Sequence, residues 1–359
     1  MTGTEPGAVG ARSGPASPHR IALVTSDGVR LEVDAEPGRT VLEAARDADL
    51  TLPSLCEKGT CGVCRATLTA GTVDRGEYDE EALPDVLREA GGMLLCCSRP
   101  LGDIDIALPY ERMRIVDGAP PERTGRIVAL EEVALETVRI VLALDEHPEL
   151  GAGMAFEAGQ FASLTIPGEE TSRAYSLANT SNWTGEAEFF VKLRPGGRFS
   201  GYLRDRAAVG DVLTVQGPAG AFGLRENGFR PRWFVCGGTG LAPLMSMMRR
   251  MAEWQDPQPV RLILGVETEP EVFGVEDLAA LEFPGGAACE VTLNRPGAGW
   301  GGATGTAVDT MVERLREAGE PPDIYLCGSP GFLDAATAAA LAAGVPEEQL
   351  FAERILSNG

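Results

Sequence analysis

The chain has 359 residues, a 44% hydrophobic content and a formal net charge of −22. That length supports two or three domains with their own cores, and the composition suits a folded globular protein. The charge disfavours nucleic acid and anionic membranes as partners and points to small molecules or another protein. No run of about 18 apolar residues is present to span a bilayer.

Residues 1–18, rich in Gly, Pro, Ser and Ala and lacking an apolar signal core, read as a disordered tail on a cytoplasmic protein. From Arg20 to Ala35 apolar and polar residues alternate around Asp27-Gly28, the pattern of a β-hairpin. Thr40–Leu50 has helical periodicity, with Thr40 as N-cap.

The segment "LCEKGTCGVCRATL" carries Cys56, Cys61 and Cys64, and a fourth cysteine follows at Cys96. The C-x4-C-x2-C spacing with a distant fourth thiol is that of a plant-type 2Fe–2S cluster. Gly59 and Gly62 let the loop curl closely, with N–H groups turned toward sulfur. A structural zinc site also takes four thiolates, but it usually draws them from two short pairs. Cys97, beside Cys96, leaves the fourth ligand ambiguous on spacing alone. Asp103–Ile115 reads as a closing strand. Hairpin, helix, cluster loop and strand give the order of an α+β β-grasp ferredoxin domain, residues 19–115.

Residues 116–121 read as a linker, with prolines and glycines in "VDGAPPERTG". Repeated strand patterns follow over 122–228 and suggest an antiparallel β-barrel. Within it, Arg173 suits a pyrophosphate, Tyr175 a flat ring and Ser176 a ring nitrogen. A Gly–Gly turn at Gly197 precedes Arg198, Phe199 and Ser200 at a helix start, where backbone N–H groups can hold phosphate.

Over 229–359 strands and helices alternate, which implies an α/β domain with a doubly wound parallel sheet. Its first strand runs into Gly237, Gly238, Thr239 and Gly240 with Pro243 just beyond, a turn that admits a pyrophosphate closely. Glu267, after the second strand, can accept from a ribose diol and repel a 2′-phosphate, favouring NADH over NADPH. Cys327 and Gly328 close a third strand at its ligand-binding end. Cys236 and Cys289 read as buried core thiols. "AATAAALAAGVP", Ala335–Pro346, suits a packed helix. His19 and His147 lie in no recognisable motif, which argues against a histidine triad, a zinc hydrolase or a Rieske centre in this chain.

With these residues in order, the chain resembles the reductase components of bacterial multicomponent monooxygenases, of the soluble methane monooxygenase reductase type, over about residues 19–359. The resemblance rests on the cluster loop, Leu94-Leu95-Cys96, Arg173-x-Tyr175-Ser176, "GGRFSGYL", "GGTGLAPLMSMMRRM", "LGVETEPEVF", "DIYLCGSPG" and "FAERI". It implies cluster ligation by Cys56, Cys61, Cys64 and Cys96, with Cys97 in a non-ligand position. It also implies FAD on Arg173, Tyr175, Ser176 and Gly197–Ser200. The nicotinamide nucleotide falls on Gly237–Pro243, Glu267, Cys327 and Gly328, with Ser176 and Cys327 as the catalytic residues. Electrons are then expected to pass from NADH through FAD and the 2Fe–2S centre to a separate oxygenase, a di-iron hydroxylase by the resemblance. The acidic "EYDEEALPD" segment (residues 77–85) is expected to guide that encounter by charge. A Rieske dioxygenase as partner and a zinc-stapled nucleotide-binding regulator are the alternatives. One departure stands out: relatives commonly close with a Glu-basic-Phe element near the flavin, where this chain has Glu353-Arg354-Ile355.

Overall fold

The computed structural model describes residues 17–169, 172–226 and 228–355, so most of the expected N-terminal tail lies outside the described residues. Among the described residues two compact units emerge, one reaching to residue 52 and covering 56–119, the other made of 53–55 and the chain from 120 onward.

In the first unit, β1 (His19–Val24) and β2 (Arg30–Ala35) form the expected antiparallel hairpin. The helix α1 (Val41–Asp47) starts where the sequence places it. The Thr40 hydroxyl accepts from the Glu43 N–H, and the Glu43 carboxylate accepts from the Thr40 N–H. Such a reciprocal cap satisfies two N–H groups that would otherwise lack partners, and is worth about 1 kcal/mol. Strands β3 (Arg65–Ala70), β4 (Gly92–Leu94) and β5 (Ile104–Ala107) complete a mixed sheet in the order β2-β1-β5-β3-β4. Ile21, Leu23, Ile104 and Ile106 of the sheet and Val41, Ala44 and Ala45 of α1 are all buried.

The closing strand is shorter than its pattern implies. It stops at Ala107, and after Pro109, which has no N–H for a ladder, a single 3-10 turn covers Arg112–Arg114. The stretch expected as linker also begins in regular structure, since Val116–Asp117 pairs antiparallel with Leu50–Thr51.

The second unit opens with a six-stranded antiparallel sheet. Its members are β6 (Glu122–Ala134), β7 (Thr137–Leu144), β8 (Phe161–Thr165), β9 (Ser172–Ser176), β10 (Glu186–Lys192) and β11 (Val212–Ala219), in the order β9-β8-β11-β6-β7-β10. Just past β9 the Ala178 N–H donates to the Glu188 carbonyl on β10 at 2.8 Å, which draws the two edges together as a barrel requires. The helix α2 (Arg198–Asp205) lies between β10 and β11 in the chain and contributes Phe199, Tyr202 and Leu203 to the interior of the sheet.

A six-stranded parallel sheet follows: β12 (Arg232–Gly237), β13 (Val260–Val266), β14 (Ala287–Leu293), β15 (Ala303–Thr304), β16 (Asp323–Gly328) and β17 (Leu350–Arg354). Its order, β15-β14-β13-β12-β16-β17, reverses direction between β12 and β16, as the doubly wound reading requires. Alternate residues serve opposite faces. Phe234 and Cys236 pack with α3 (Leu241–Glu253), whereas Trp233 and Val235 meet α4 (Ala307–Glu317) and α5 (Pro330–Ala342). The alanine-rich tract is thus part of α5, with Ala336 and Ala340 fully buried.

Cys289 corrects an expectation. It is exposed, unlike Cys236. The short β15 pairs only with Thr292–Leu293, so the first half of β14 is an open edge.

The two sheets of the second unit share a core, in which Phe190 and Phe222 of the antiparallel part pack with Met247 and Leu241 of α3. Polar contacts line the same seam. Ser246 donates to the Asn179 carbonyl at 2.6 Å, Arg249 to the Ala178 carbonyl at 3.0 Å, and Thr180 to the Glu253 carboxylate at 2.6 Å. Positions 246, 249 and 253 fall on one helical face, which explains why a single face of α3 reads the 178–180 turn.

Candidate active site and cluster site

In the first unit the cluster loop brings its sulfurs together in two pairs. The Cys61 thiol donates to the Cys56 sulfur, and the Cys64 and Cys96 sulfurs lie 3.3 Å apart. The N–H groups of Lys58 and Thr60 also point at Cys56 Sγ, at 3.4 and 3.3 Å. The Cys61 hydrogen bond, then these donors, hold the Cys56 thiol down to about 4. The bond from Cys64 brings Cys96 down to about 7. Burial pushes the Cys97 thiol up to about 12. Gly59 has a φ of +74°, and a Cβ there would sit 2.8 Å from Cys97 Sγ and 2.9 Å from Tyr78 Cβ, so the loop closes only around glycine.

Two pairs of convergent thiols suit a 2Fe–2S cluster, in which each iron takes two protein ligands. The donor chemistry of the loop therefore fits that group.

In the second unit a cleft opens between the antiparallel sheet and the end of the parallel one. The expected residues Arg173, Tyr175, Ser176, Gly197, Arg198, Phe199, Ser200 and Thr239 all line it. So do Glu353, Arg354 and Ile355 of the closing element. Lys192 and Arg194 line it too, and sequence reasoning does not assign them to the site. Arg173, Lys192, Arg194, Arg198 and Arg354 make five basic side chains in one cleft of a strongly acidic chain, which favours an anionic ligand. Tyr175 is held against Phe199, ring centroids 5.2 Å apart, and Ser200 fixes the turn before α2 by accepting from the Arg194 N–H at 2.9 Å. A basic cradle with an aromatic wall fits a dinucleotide carrying a flat ring, as FAD does.

A second cleft is lined by Gly237, Gly238, Thr239, Glu267, Asn294, Thr306 and Gly328. Gly240 and Pro243 lie behind its turn. A Cβ on Gly240 would run into the Cys327 carbonyl oxygen, so the two ligand-side turns touch through glycine. Glu267 is already engaged, accepting from Asn294 at 2.7 Å and from Arg295 at 3.0 Å, and these bonds hold its carboxyl below the usual range. Cys327 is fully buried and lines neither cleft; burial, then the nearby Glu353, push its thiol well up. The two clefts share Lys192, Arg194, Thr239 and Ile355.

The comparisons with known proteins agree with this division. Residues 24–101 match the 2Fe-2S iron-sulfur cluster binding domain, 124–223 the oxidoreductase FAD-binding domain and 234–338 the oxidoreductase NAD-binding domain. The reductase component of propane 2-monooxygenase from Rhodococcus jostii is 31% identical over 351 residues, 95% of this chain and 92% of the relative. The toluate 1,2-dioxygenase electron transfer component of Pseudomonas putida is 31% identical, over 95% of this chain and 99% of the relative. Among solved structures, the Amycolatopsis cytochrome P450 reductase GcoB superposes with a TM-score of 0.71 at 30% identity, covering 93% of this chain and 98% of its own.

A cluster domain followed by FAD and NAD domains defines an electron-transfer oxidoreductase. The chain belongs to the family of reductase components that serve multicomponent oxygenases, and it is an NAD(P)H-dependent member by its domains. The zinc-stapled regulator is set aside by these matches. Among the described residues no helix is long and apolar enough to cross a membrane.

Proposed function

We propose that this chain takes reducing equivalents from NADH, in preference to NADPH, and delivers single electrons to a hydrocarbon monooxygenase of the di-iron type. The observation that carries the reading is the shared lining of the two clefts, which lets a nucleotide on the glycine turn meet a ring held by Tyr175. When bound, FAD supplies hydride acceptance and the 2Fe–2S cluster supplies one-electron carriage.

The chain's own residues hold and orient. Arg173 and the N–H groups of Arg198, Phe199 and Ser200, presented by the turn that Gly197 makes, would hold the FAD phosphates, with Tyr175 along the ring and Ser176 at its edge. Gly237, Gly238, Thr239 and Gly240 admit the nicotinamide nucleotide's pyrophosphate, with Pro243 setting the first turn of α3. Glu267 accepts from the ribose, and Cys327-Gly328 back the nicotinamide. Cys56, Cys61, Cys64 and Cys96 ligate the cluster. The domains are taken as 19–115, 122–228 and 229–359.

The similarity to the propane 2-monooxygenase reductase supports a monooxygenase partner, and Glu267 supports NADH. The similarity to the toluate dioxygenase component favours a second reading, in which the acceptor is a ring-hydroxylating dioxygenase. Anaerobic titration with NADH and with NADPH, followed by coupled turnover with a purified oxygenase of each type, tests both. Bleaching at low NADH and product only with the di-iron enzyme is expected. Product only with a dioxygenase overturns the partner, and preferential bleaching by NADPH overturns the nucleotide.

A further inference from the structure

A fifth thiol lies against the cluster ligands. Cys97 Sγ is 3.5 Å from Cys96 Sγ, although consecutive side chains of a strand would point to opposite faces. The backbone explains the exception. The N–H groups of Cys97 and Ser98 both bond the Leu94 carbonyl, at 3.1 and 2.9 Å, so residues 94–98 form a turn that brings the two sulfurs to one side. Cys97 is 8% exposed, and its sulfur fills the space that a Cβ on Gly59 would occupy in the cluster loop. A tetrahedral metal with thiolate bonds of about 2.3 Å separates two sulfurs by about 3.8 Å. The Cys96–Cys97 spacing is close to that of two sulfurs on one metal, so both thiols lie within reach of the same iron and a small shift of either exchanges one for the other.

We propose that Cys97 is a reserve ligand of the 2Fe–2S cluster, able to take the coordination position of Cys96 when Cys96 leaves. The inference rests on the assignment of Cys96 as the resting ligand. The exchange breaks the bond from iron to Cys96 sulfur and forms one to Cys97 sulfur. The proton released by the Cys97 thiol goes to the departing Cys96 thiolate, and no electron moves.

The test uses the full chain with Cys96→Ala, Cys97→Ala and the double variant, since alanine cannot ligate. Iron and sulfide are quantified, and electron paramagnetic resonance spectra are taken after dithionite reduction. Cys97→Ala is expected to keep the wild-type spectrum. Cys96→Ala is expected to hold at least half the wild-type iron with a shifted spectrum, and the double variant to fall to a tenth or less. A Cys96→Ala chain as iron-poor as the double variant overturns the proposal, as does equal retention in both. A wild-type spectrum in Cys96→Ala together with cluster loss in Cys97→Ala instead overturns the assignment of Cys96. Because Cys96→Ala can also fail to fold, chelator-driven iron release is compared between wild type and Cys97→Ala, both with four resting ligands. A several-fold faster release from Cys97→Ala supports the reserve role, and equal rates overturn it.

Discussion

The Ser176 hydroxyl donates to the Glu353 carboxyl, joining the last residue of β9 to the last strand of the chain at the wall of the basic cleft. The other carboxyl oxygen, Oε2, is shielded from solvent and has no hydrogen-bond partner among the described residues. Burial raises the Glu353 carboxyl to about 8 from its ordinary 4.5, with Ser176 opposing the shift.

A carboxyl raised on folding favours the folded state below its unfolded pKa, and that contribution is lost as pH rises through the folded value. The window here runs from about pH 4.5 to 8. Glu353→Gln, which stays neutral, is expected to match the wild type near pH 4.5 and to gain on it toward pH 9 by on the order of 5 kcal/mol. Denaturant melts of the two proteins across that range check it; a constant difference at every pH would show that Glu353 ionises freely.

Gly240 gives the second prediction. Its missing side chain lets the β12 turn approach the Cys327 carbonyl, and a methyl group there has nowhere to go but into backbone. Gly240→Ala is expected to cost about 1–3 kcal/mol by overpacking. Stopped-flow flavin reduction by NADH should slow tenfold or more while FAD stays bound. Unchanged reduction would mean that the turn moves aside without consequence.

Glu267 and Arg295 bear on the choice of nucleotide. The carboxylate neutralises the guanidinium beside the second cleft, and both side chains are exposed enough to meet a ligand. Glu267→Gln removes a charge that repels a 2′-phosphate and releases a cation that attracts one. The ratio of kcat/KM for NADH over NADPH is expected to fall about tenfold, equivalent to about 1.4 kcal/mol. A ratio that stays put in steady-state kinetics would remove Glu267 from the specificity argument.

Local chemistry is the legible part of this chain. The cysteine spacing, the Thr40 cap and the glycine turn after an apolar strand each declare themselves within a dozen residues. What escapes a sequence reading depends on pairing between distant segments. Lys192 and Arg194 read as ordinary strand-end charges until β10 is seen to end at the cleft. Glu353 is visible within "FAERI", but its contact with Ser176 depends on β17 pairing beside β16. Cys289 looks like a core thiol because an apolar neighbour says nothing about how short the adjoining strand is.

Cys61 separates the two halves of electron flow. Its thiol bonds Cys56 within the cluster loop of the first unit, whereas both clefts belong to the second. Cys61→Ala is expected to lose the cluster's visible absorbance and transfer to an oxygenase, while NADH-to-dye reduction stays within about twofold of wild type. Loss of both activities together would show that the cluster is needed for flavin reduction.

The final prediction concerns the seam on which cleft geometry depends. Glu188 is buried on β10 and paired with two cations, Arg139 on its own sheet and Arg249 on α3. Removing one member of a buried ion pair leaves the others desolvated without compensation, a loss of about 3–5 kcal/mol. Glu188→Ala is expected to fall near that range, and Arg249→Ala lower, because Arg249 is more exposed than Glu188. In a double-mutant cycle the two should couple by more than about 1 kcal/mol, since residues in one charged network are not additive. Additivity within about 0.5 kcal/mol would instead assign the seam to its apolar contacts, Phe190 and Phe222 against Met247 and Leu241. Coupling would mean that an ion pair ties the FAD-binding sheet to the helix behind the glycine turn, so a change at Glu188 should also slow flavin reduction by NADH.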